Sequence, residues 1–536
     1  MLFKWPPLAG AAATLSFSAV AFMGTTHGVR IPVNIAIRPQ PHGVVVSPIA
    51  IGVNASAYDR DLQAMALPLL LRRAGVALIR FPGGSLADQY DWQTNTDVVA
   101  RQPEAVTFNQ FVHLVDQAGA TAMITVNYGS GAVIGRQTHI TGAELAAQWV
   151  SYANRVHHDR IRYWEIGNEV YGNGTYGFNW ETDDHCHTVN GERVNLTNEP
   201  SQTYGCGPLA YAENAKRYID AMKAADPRIT IGIVLTAAGA PNNWPNNVTN
   251  TQSPATWNQT VLSTLGSAIG FADIHWYPQN PSSVIPPGPS NAGLLNSTRE
   301  IPRAVATLRH EFAAWAHDPH LPIMVTETNS VSSNPGHQTL SVVNALFLDQ
   351  DYLTWLENGV VNVDWWQIHN GLVTTGDNGA TNEIGQPISG NARYGDYGLL
   401  SNGSCGTTPS GARVCEPPAE TPFSSYDGLL MLHHMLQAGD VFLDTVASHS
   451  WVQAFAVLNP RLHIVHLLVV NDSPTVADML HVEMCGYSIR NTASAWVYGP
   501  DPTGIKRLVG FDAVRRAMTF LAPYSEMLLT LSHDNP

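Results

Sequence analysis

From Pro48 to Gln437 the chain alternates, eight times, between a short apolar run and a longer stretch whose apolar residues recur at helical spacing. A parallel strand buried on both faces reads as a continuous apolar run, and its return to the same sheet needs a crossover helix. The runs Pro48–Asn54, Val76–Phe81, Thr121–Tyr128, Ile161–Asn168, Ile229–Thr236, Phe271–Tyr277, Pro322–Glu327 and Val361–His369 read as strands. Helices are predicted over Asp61–Ala74, Thr107–Ala118, Thr141–Asn154, Ala210–Ala225, Ile301–Ala316, Leu340–Asn358 and Ser425–Gln437. Thr107 is placed to cap its helix, and Thr141 to Glu144 has the capping-box pattern. Eight such units predict a (β/α)8 TIM barrel over residues 46–438.

After Gly439 the period changes. Phe442–Val446, Val452–Leu458, Leu462–Asn471, His481–Met484, Ala493–Tyr498 and Glu526–Leu531 read as short strands separated by turns, with no helical stretch between them. This predicts a C-terminal antiparallel β-sandwich over 439–536. Arg30–Ile37 also alternates like a strand, and the segment 29–45 is expected to join that sandwich. Residues 1–28 have the pattern of an export signal: Lys4, then a mostly apolar Ala-rich run from Pro7 to Met23, then polar Thr25-Thr26-His27-Gly28. An uncleaved membrane anchor is the rival reading of that run. No later segment is long and apolar enough to span a bilayer.

A chain of 536 residues can hold a large domain and a smaller one, and its net charge of -15 argues against nucleic acid and anionic membranes as partners. Its 14 Trp and 18 Tyr suit stacking on sugar rings, or equally the core of a large barrel. The five cysteines agree with a secreted protein. Cys186 and Cys206 bracket one polar loop and Cys405 and Cys415 another, so each couple is expected to be bonded. Cys485 lies in a strand-like apolar run and reads as a buried free thiol. Sequons begin at Asn54, Asn173, Asn195, Asn247, Asn258, Asn296 and Asn402. No Cys/His cluster has zinc spacing, and neither a metal nor a cofactor is expected.

Two of the predicted strands end in a carboxylic acid. Ile161-Arg-Tyr-Trp-Glu-Ile-Gly-Asn-Glu-Val170 delivers Glu169 to the tip of the fourth, and Leu321-Pro-Ile-Met-Val-Thr-Glu-Thr-Asn329 delivers Glu327 to the tip of the seventh. Barrel enzymes carry their catalytic groups at strand C-termini, and two such acids are what a retaining glycosidase requires. A structural acid closing a strand, or an ion-pair acid, is the plainer alternative for each. Glu165, deeper on the fourth strand, reads as a structural acid in need of a partner.

Four motifs occur together and in strand order: Arg80-Phe-Pro-Gly-Gly84 on the second strand, Ile166-Gly-Asn-Glu169 on the fourth, His275-Trp-Tyr277 on the sixth and Thr326-Glu327 on the seventh. With them, the chain from about Val46 onward resembles clan A of the retaining glycoside hydrolases, most of all the α-L-arabinofuranosidases of family 51, which carry a barrel and a β-sandwich. Families 39, 30 and 79 are near relatives, with β-xylosidase, β-glucuronidase, galactanase or β-glucosidase activities as alternatives. Ser85 stands where arabinofuranosidases commonly have Asn, and Val170-Tyr171 follows the Asn-Glu pair in place of a Met/Leu-Asp sequence. Both positions border the sugar pocket, so the motifs leave the sugar open.

The resemblance implies a role for each residue. Glu169 would be the general acid/base, its pKa raised by the second carboxylate, and Glu327 the nucleophile. Asn168 would bind the sugar 2-hydroxyl, or simply cap the strand end. Arg80 and Tyr277 would hold Glu327, or belong to barrel-mouth packing. His275 points to the same side of its strand as Tyr277 and would orient the acid or the sugar, unless it is a satisfied core histidine. Of Trp365, Trp366 and His369, which end the eighth strand, Trp366 is the expected floor of the sugar site. Asn127 and Tyr128, ending the third strand, are further candidates. The substrate would be a carbohydrate. A non-catalytic glycan-binding protein on the same scaffold is the reading from another functional class.

Overall fold

In a computed structural model the described residues are 30–129, 141–171, 187–189, 192–194, 208–237, 257–279, 290–374, 394–485, 489–501, 504–509 and 520–533. Residues 1–28 with their export pattern, and Cys186 and Cys206, lie outside them. Eight parallel strands close into a barrel: Ile51–Asn54, Leu78–Phe81, Thr121–Val126, Tyr163–Ile166, Thr230–Val234, Phe271–Trp276, Ile323–Thr328 and Asn362–Trp365. The last pairs with the first through Val363 on Ile51 and Trp365 on Val53. Each lies within a run read from the sequence, the seventh running one residue past it to Thr328, because continuous apolar character is what a strand buried on both faces needs.

The helical layer differs in detail. Phe108–Ala118 and Gly142–Ser151 begin in complete capping boxes, Thr107 with Gln110 and Thr141 with Glu144. The single helix expected over Asp61–Ala74 is two pieces, a 3-10 turn Arg60–Gln63 and an α-helix Leu67–Arg73. Pro68 explains the break, since proline is tolerated only in a helix's first turn. Helices Trp257–Leu265 and Asn291–Ser297 were not expected.

Eight further strands form one sheet. In spatial order it runs Ala477–Met484, Arg30–Val45, Val441–Ala447, Val452–Asn459, Ile464–Asn471, Ser525–His533, Ile489–Tyr498 and Lys506–Val509. Its pairs are antiparallel except one: Arg30–Val45 runs parallel to Ala477–Met484. The sheet curls over, so Val33 and Ile35 near one edge share a core with Ala495 near the other. The helix Val342–Glu357 lies between barrel and sheet and is buried along its length except at Glu357. Among the described residues no helix is long and apolar enough to cross a membrane.

Cys405 and Cys415 are bonded and join two short paired strands. Cys485 is free but exposed, contrary to the buried thiol expected: it follows the last residue of its strand and has turned outward. Two sequons are also ruled out as acceptors in the folded chain, because Asn54 and Asn258 are fully buried and hydrogen-bonded.

At the junction of barrel and sheet, Asp349 and Glu526 face each other, both fully buried, and none of their four oxygens meets any other donor. The bond between them therefore needs a proton. Burial pushes Glu526 up to about 8 and Asp349 well above the carboxylate range, with Asp427 adding to both. An acid whose pKa is raised on folding contributes stability that is complete below its unfolded value and fades as pH rises through the folded one. Stability should therefore decline between about pH 4.5 and 8. In urea unfolding across that range Glu526→Gln should flatten the slope, and an unaltered slope would assign it to other groups.

Candidate active site

Side chains at the ends of the first, fourth and seventh barrel strands converge on Arg80 of the second, whose side chain is fully buried. A guanidinium offers five N–H donors in a planar fork. Nε meets Glu165 Oε1 at 2.5 Å, Nη2 meets Asn168 Oδ1 at 2.8 Å, and Nη1 meets Glu327 Oε1 at 2.7 Å and Asn54 Oδ1 at 2.9 Å. Glu165 also accepts the Thr125 hydroxyl. Its reading as a buried acid with a partner fits this pairing. Asn54 was not foreseen. Its amide additionally donates to the Thr326 carbonyl at 2.9 Å, tying the first strand to the seventh beside Glu327.

Glu169 sits at the mouth in a left-handed backbone conformation, φ 45°, after Gly167 at φ 75°. Such a conformation costs a non-glycine residue about 1 kcal/mol or more and persists where the surroundings impose it. Here Asp88 imposes it. Fully buried, it accepts the backbone N–H of Asn168 at 2.9 Å, of Tyr128 at 2.9 Å and of Gly129 at 3.1 Å. It so pins the ends of the third and fourth strands together. Burial still pushes Asp88 up to about 6 against those three donors. The turn after the second strand requires both glycines: a Cβ on Gly83 would lie 2.3 Å from Ser56 Oγ, and one on Gly84 would lie 2.6 Å from the Trp366 ring. Trp366 thereby forms a half-buried wall over the Pro-Gly-Gly loop, while Trp365 turns away into the core against Phe347.

The two glutamates face each other. Glu169, His275 and Glu327 each place one oxygen or nitrogen within 4.8 Å of the others, the only such trio of His, Cys, Asp or Glu among the described residues. Their environments differ. Tyr277 donates its hydroxyl to Glu327 Oε2 at 2.9 Å, and Arg80 holds the other oxygen. Burial leaves Glu327 raised above the usual carboxylate value, with Glu169 adding to the rise and His275 and Arg80 acting against it. Glu169 has Tyr171 OH at 3.4 Å and His275 Nδ1 at 2.9 Å. Burial pushes it up to about 7, with Arg80 and Tyr171 acting the other way. The largest cause is therefore burial, where the sequence reading named the charge on the neighbouring carboxylate. Burial likewise pushes His275 down to about 4, so it is neutral near pH 7.

The structure thus brings together Glu169, Glu327, Arg80, Asn168, Tyr277 and His275, with Trp366 on the wall. Asn127 is also buried at the third-strand end, its amide donating to the Tyr90 carbonyl at 3.0 Å. His369 is a clamp between loops: Nδ1 lies 2.8 Å from Asp59 Oδ2 and Nε2 lies 3.4 Å from Glu420 Oε1, and the two acids push it up to about 10 against its burial. Asn54 and Asp88 were missed. Nothing in their local sequence marks them, because their partners lie on other strands. Replacing Arg80 by Ala would leave Glu165 and Glu327 as unpaired buried charges. We expect a loss of about 3–5 kcal/mol in denaturant unfolding, and Arg80→Lys to recover little of it, since an ammonium cannot serve four separate acceptors.

No protein-family model matches this chain. In sequence, an intracellular exo-alpha-(1->5)-L-arabinofuranosidase of Halalkalibacterium halodurans is 24% identical over 226 residues, which is 39% of this chain and 38% of that protein. The chain therefore spans well under two thirds of the curated relative it matches. In structure, a family 51 alpha-L-arabinofuranosidase from Thermotoga petrophila superposes with TM-score 0.62 at 15% identity, over 93% of this chain and 99% of the other. A family 44 xyloglucanase of Paenibacillus polymyxa superposes with TM-score 0.61 at 11% identity, over 94% and 100%. At these identities the likeness establishes the shared fold, a barrel with an attached β-sheet domain.

Proposed function

We propose that this chain is a retaining glycoside hydrolase, and among these an α-L-arabinofuranosidase. The observation that carries the reaction is the pair of buried carboxylates whose nearest oxygens lie within 4.8 Å, only one of them bonded to Arg80. Retaining enzymes hold their carboxyl groups about 5–5.5 Å apart, whereas inverting ones leave about 6.5–9.5 Å for a water. Glu327, gripped by Arg80 and Tyr277, is the nucleophile that attacks the anomeric carbon. Glu169, pushed up to about 7, protonates the departing oxygen. The resulting carboxylate then takes a proton from water as that water displaces Glu327 from the sugar, so the proton count closes over two displacements.

Asn168, oriented by Arg80, faces the sugar 2-hydroxyl, and Trp366 supplies an apolar wall. The choice of arabinofuranoside rests on the sequence motifs and on the activity of the Halalkalibacterium and Thermotoga proteins. The comparable superposition of a xyloglucanase makes a β-glucan the second reading. The Cys405–Cys415 bond suits an oxidising compartment and supports a secreted enzyme.

The two glutamates should fail differently. Glu327→Ala should abolish turnover of every aryl glycoside and be rescued by azide with an inverted product. Glu169→Ala should still form the covalent intermediate from aryl glycosides with acidic leaving groups, and azide should rescue it with retention. Because Glu169 must be protonated to act, kcat/KM in the wild type should fall as pH rises through about 7. Arabinofuranoside, xyloside, glucuronide and galactofuranoside aryl substrates, with xyloglucan oligosaccharides, identify the sugar. A wild type that turns over none of them while binding glycans would replace this reading with the binding-protein one.

A further inference from the structure

Asp273, His275 and Tyr277 alternate along the sixth strand, so all three project into the barrel. Tyr277 bonds Glu327 and His275 Nδ1 bonds Glu169, but Asp273, deepest of the three, has no evident catalytic task. Two orphan atoms draw attention to it. His275 Nε2 and Asp273 Oδ2 are both buried without a hydrogen-bond partner. A buried polar atom left unpaired costs about 1–3 kcal/mol, so each calls for an explanation. The nearest approach between the two groups is 3.8 Å, from Nε2 to Asp273 Oδ1. Catalytic hydrogen bonds are often long without substrate and tighten in the complex.

At 3.8 Å the pair forms no hydrogen bond as it stands, while Nδ1 lies 2.9 Å from Glu169 Oε1 and 3.4 Å from Glu327 Oε2, so the tautomer of His275 turns on what Nε2 meets when that gap closes. A neutral imidazole has one N–H and one bare nitrogen, and whichever group faces one nitrogen determines what the other can offer. We propose that Asp273 is a neutral acid behind His275 that donates its carboxyl proton to Nε2, and so fixes the imidazole with its N–H at Nδ1, facing Glu169. The Nδ1–H then donates to Glu169 once that residue has given up its proton to the leaving group, stabilising the carboxylate that must next activate water. No proton leaves Asp273 in the cycle; it positions the imidazole.

The charges around Asp273 support a neutral acid. It faces Arg80 from the second strand, Glu165 from the fourth, Glu327 from the seventh, Asp364 from the eighth and the Tyr211 hydroxyl from the helical layer. Arg80 already pairs with both Glu165 and Glu327, so its one positive charge is more than matched. A third carboxylate would have only the Thr326 hydroxyl as a donor. Burial first, and then Glu165, accordingly push Asp273 well above the carboxylate range.

The catalytic half of this inference rests on Glu169 being the acid/base, whereas the tautomer does not, and the experiments separate them. Imidazole 15N NMR of the full-length wild type, with the His275 signals identified by their loss in His275→Asn, should show Nδ1 protonated and Nε2 bare from pH 5 to 8. A hydrogen on Nε2 overturns the proposal whatever the enzyme's activity. In kinetics, Asp273→Ala should lower kcat about tenfold and move the alkaline limb of kcat/KM upward by about one pH unit, the worth of one hydrogen bond. Asp273→Asn retains a neutral donor and should recover most of both effects. If Asn behaves like Ala, a charged Asp273 is required and the proposal fails, and it fails equally if Ala leaves both quantities where they were. A wild type without glycosidase activity would defeat the proposed function, while the NMR result would still decide the tautomer.

Discussion

One guanidinium organises the centre of this molecule. Arg80 is buried where no water can solvate it, and an isolated charge there would be prohibitively costly. It is tolerated because first, fourth and seventh strands each bring it an acceptor: Asn54, Glu165 with Asn168, and Glu327. The dependence is mutual. Those acceptors would be unsatisfied or unpaired without the arginine, so barrel closure and assembly of the site are one event. A side chain bound on four sides also has no freedom to drift, which gives Glu327 a fixed direction of attack.

Around that centre, chemically alike groups acquire unlike properties from their surroundings. Glu169 and Glu327 are both buried, and each has a phenol hydroxyl on it, yet only Glu327 is bonded to a cation. Division of labour between two carboxyls needs only such a difference in environment. The support extends outward. Thr328, next to the nucleophile, donates to Asp351 at 2.9 Å on the helix Val342–Glu357, and Gln350 of that helix donates to Asp472 of the sheet at 2.8 Å. The attached domain is thus connected to the end of the seventh strand through a single buried helix.

The eight strands were legible because each is a continuous apolar run, and the two glutamates because each follows such a run at the position where a strand must end. The capping boxes at Thr107 and Thr141 were legible for the same local reason. The interruption at Pro68 was overridden in the sequence reading by the apolar period on either side of it. Trp257–Leu265 escaped because Asn, Gln, Ser and two Thr dilute its apolar period. Asp88 and Asn54 escaped for a different reason. A polar residue at a strand tip or in the 3-10 turn beyond one carries no local mark of the strands it will join. The cause of the high Glu169 pKa was misread likewise, because burial at a barrel mouth is a property of the closed ring and not of any one segment.

The pairing of Arg30–Val45 with Val441–Ala447 places two neighbouring strands of one sheet on opposite sides of the entire barrel in the chain. Val46 and Asp440 are joined by a backbone bond of 2.8 Å where the chain leaves the sheet and returns to it. In topological terms the barrel is an insertion into the sheet. During synthesis the first strand emerges long before its partners exist, with apolar Val33, Ile35 and Ile37 and no neighbour to cover them. Bringing its partners to it in the unfolded chain means closing a very long loop, whose entropy opposes the pairing. Once the barrel has folded, its own compactness brings the two ends of that loop together. The barrel is then the template on which the sheet assembles, and the last strand made, Ser525–His533, completes a domain that the first residues had to wait for.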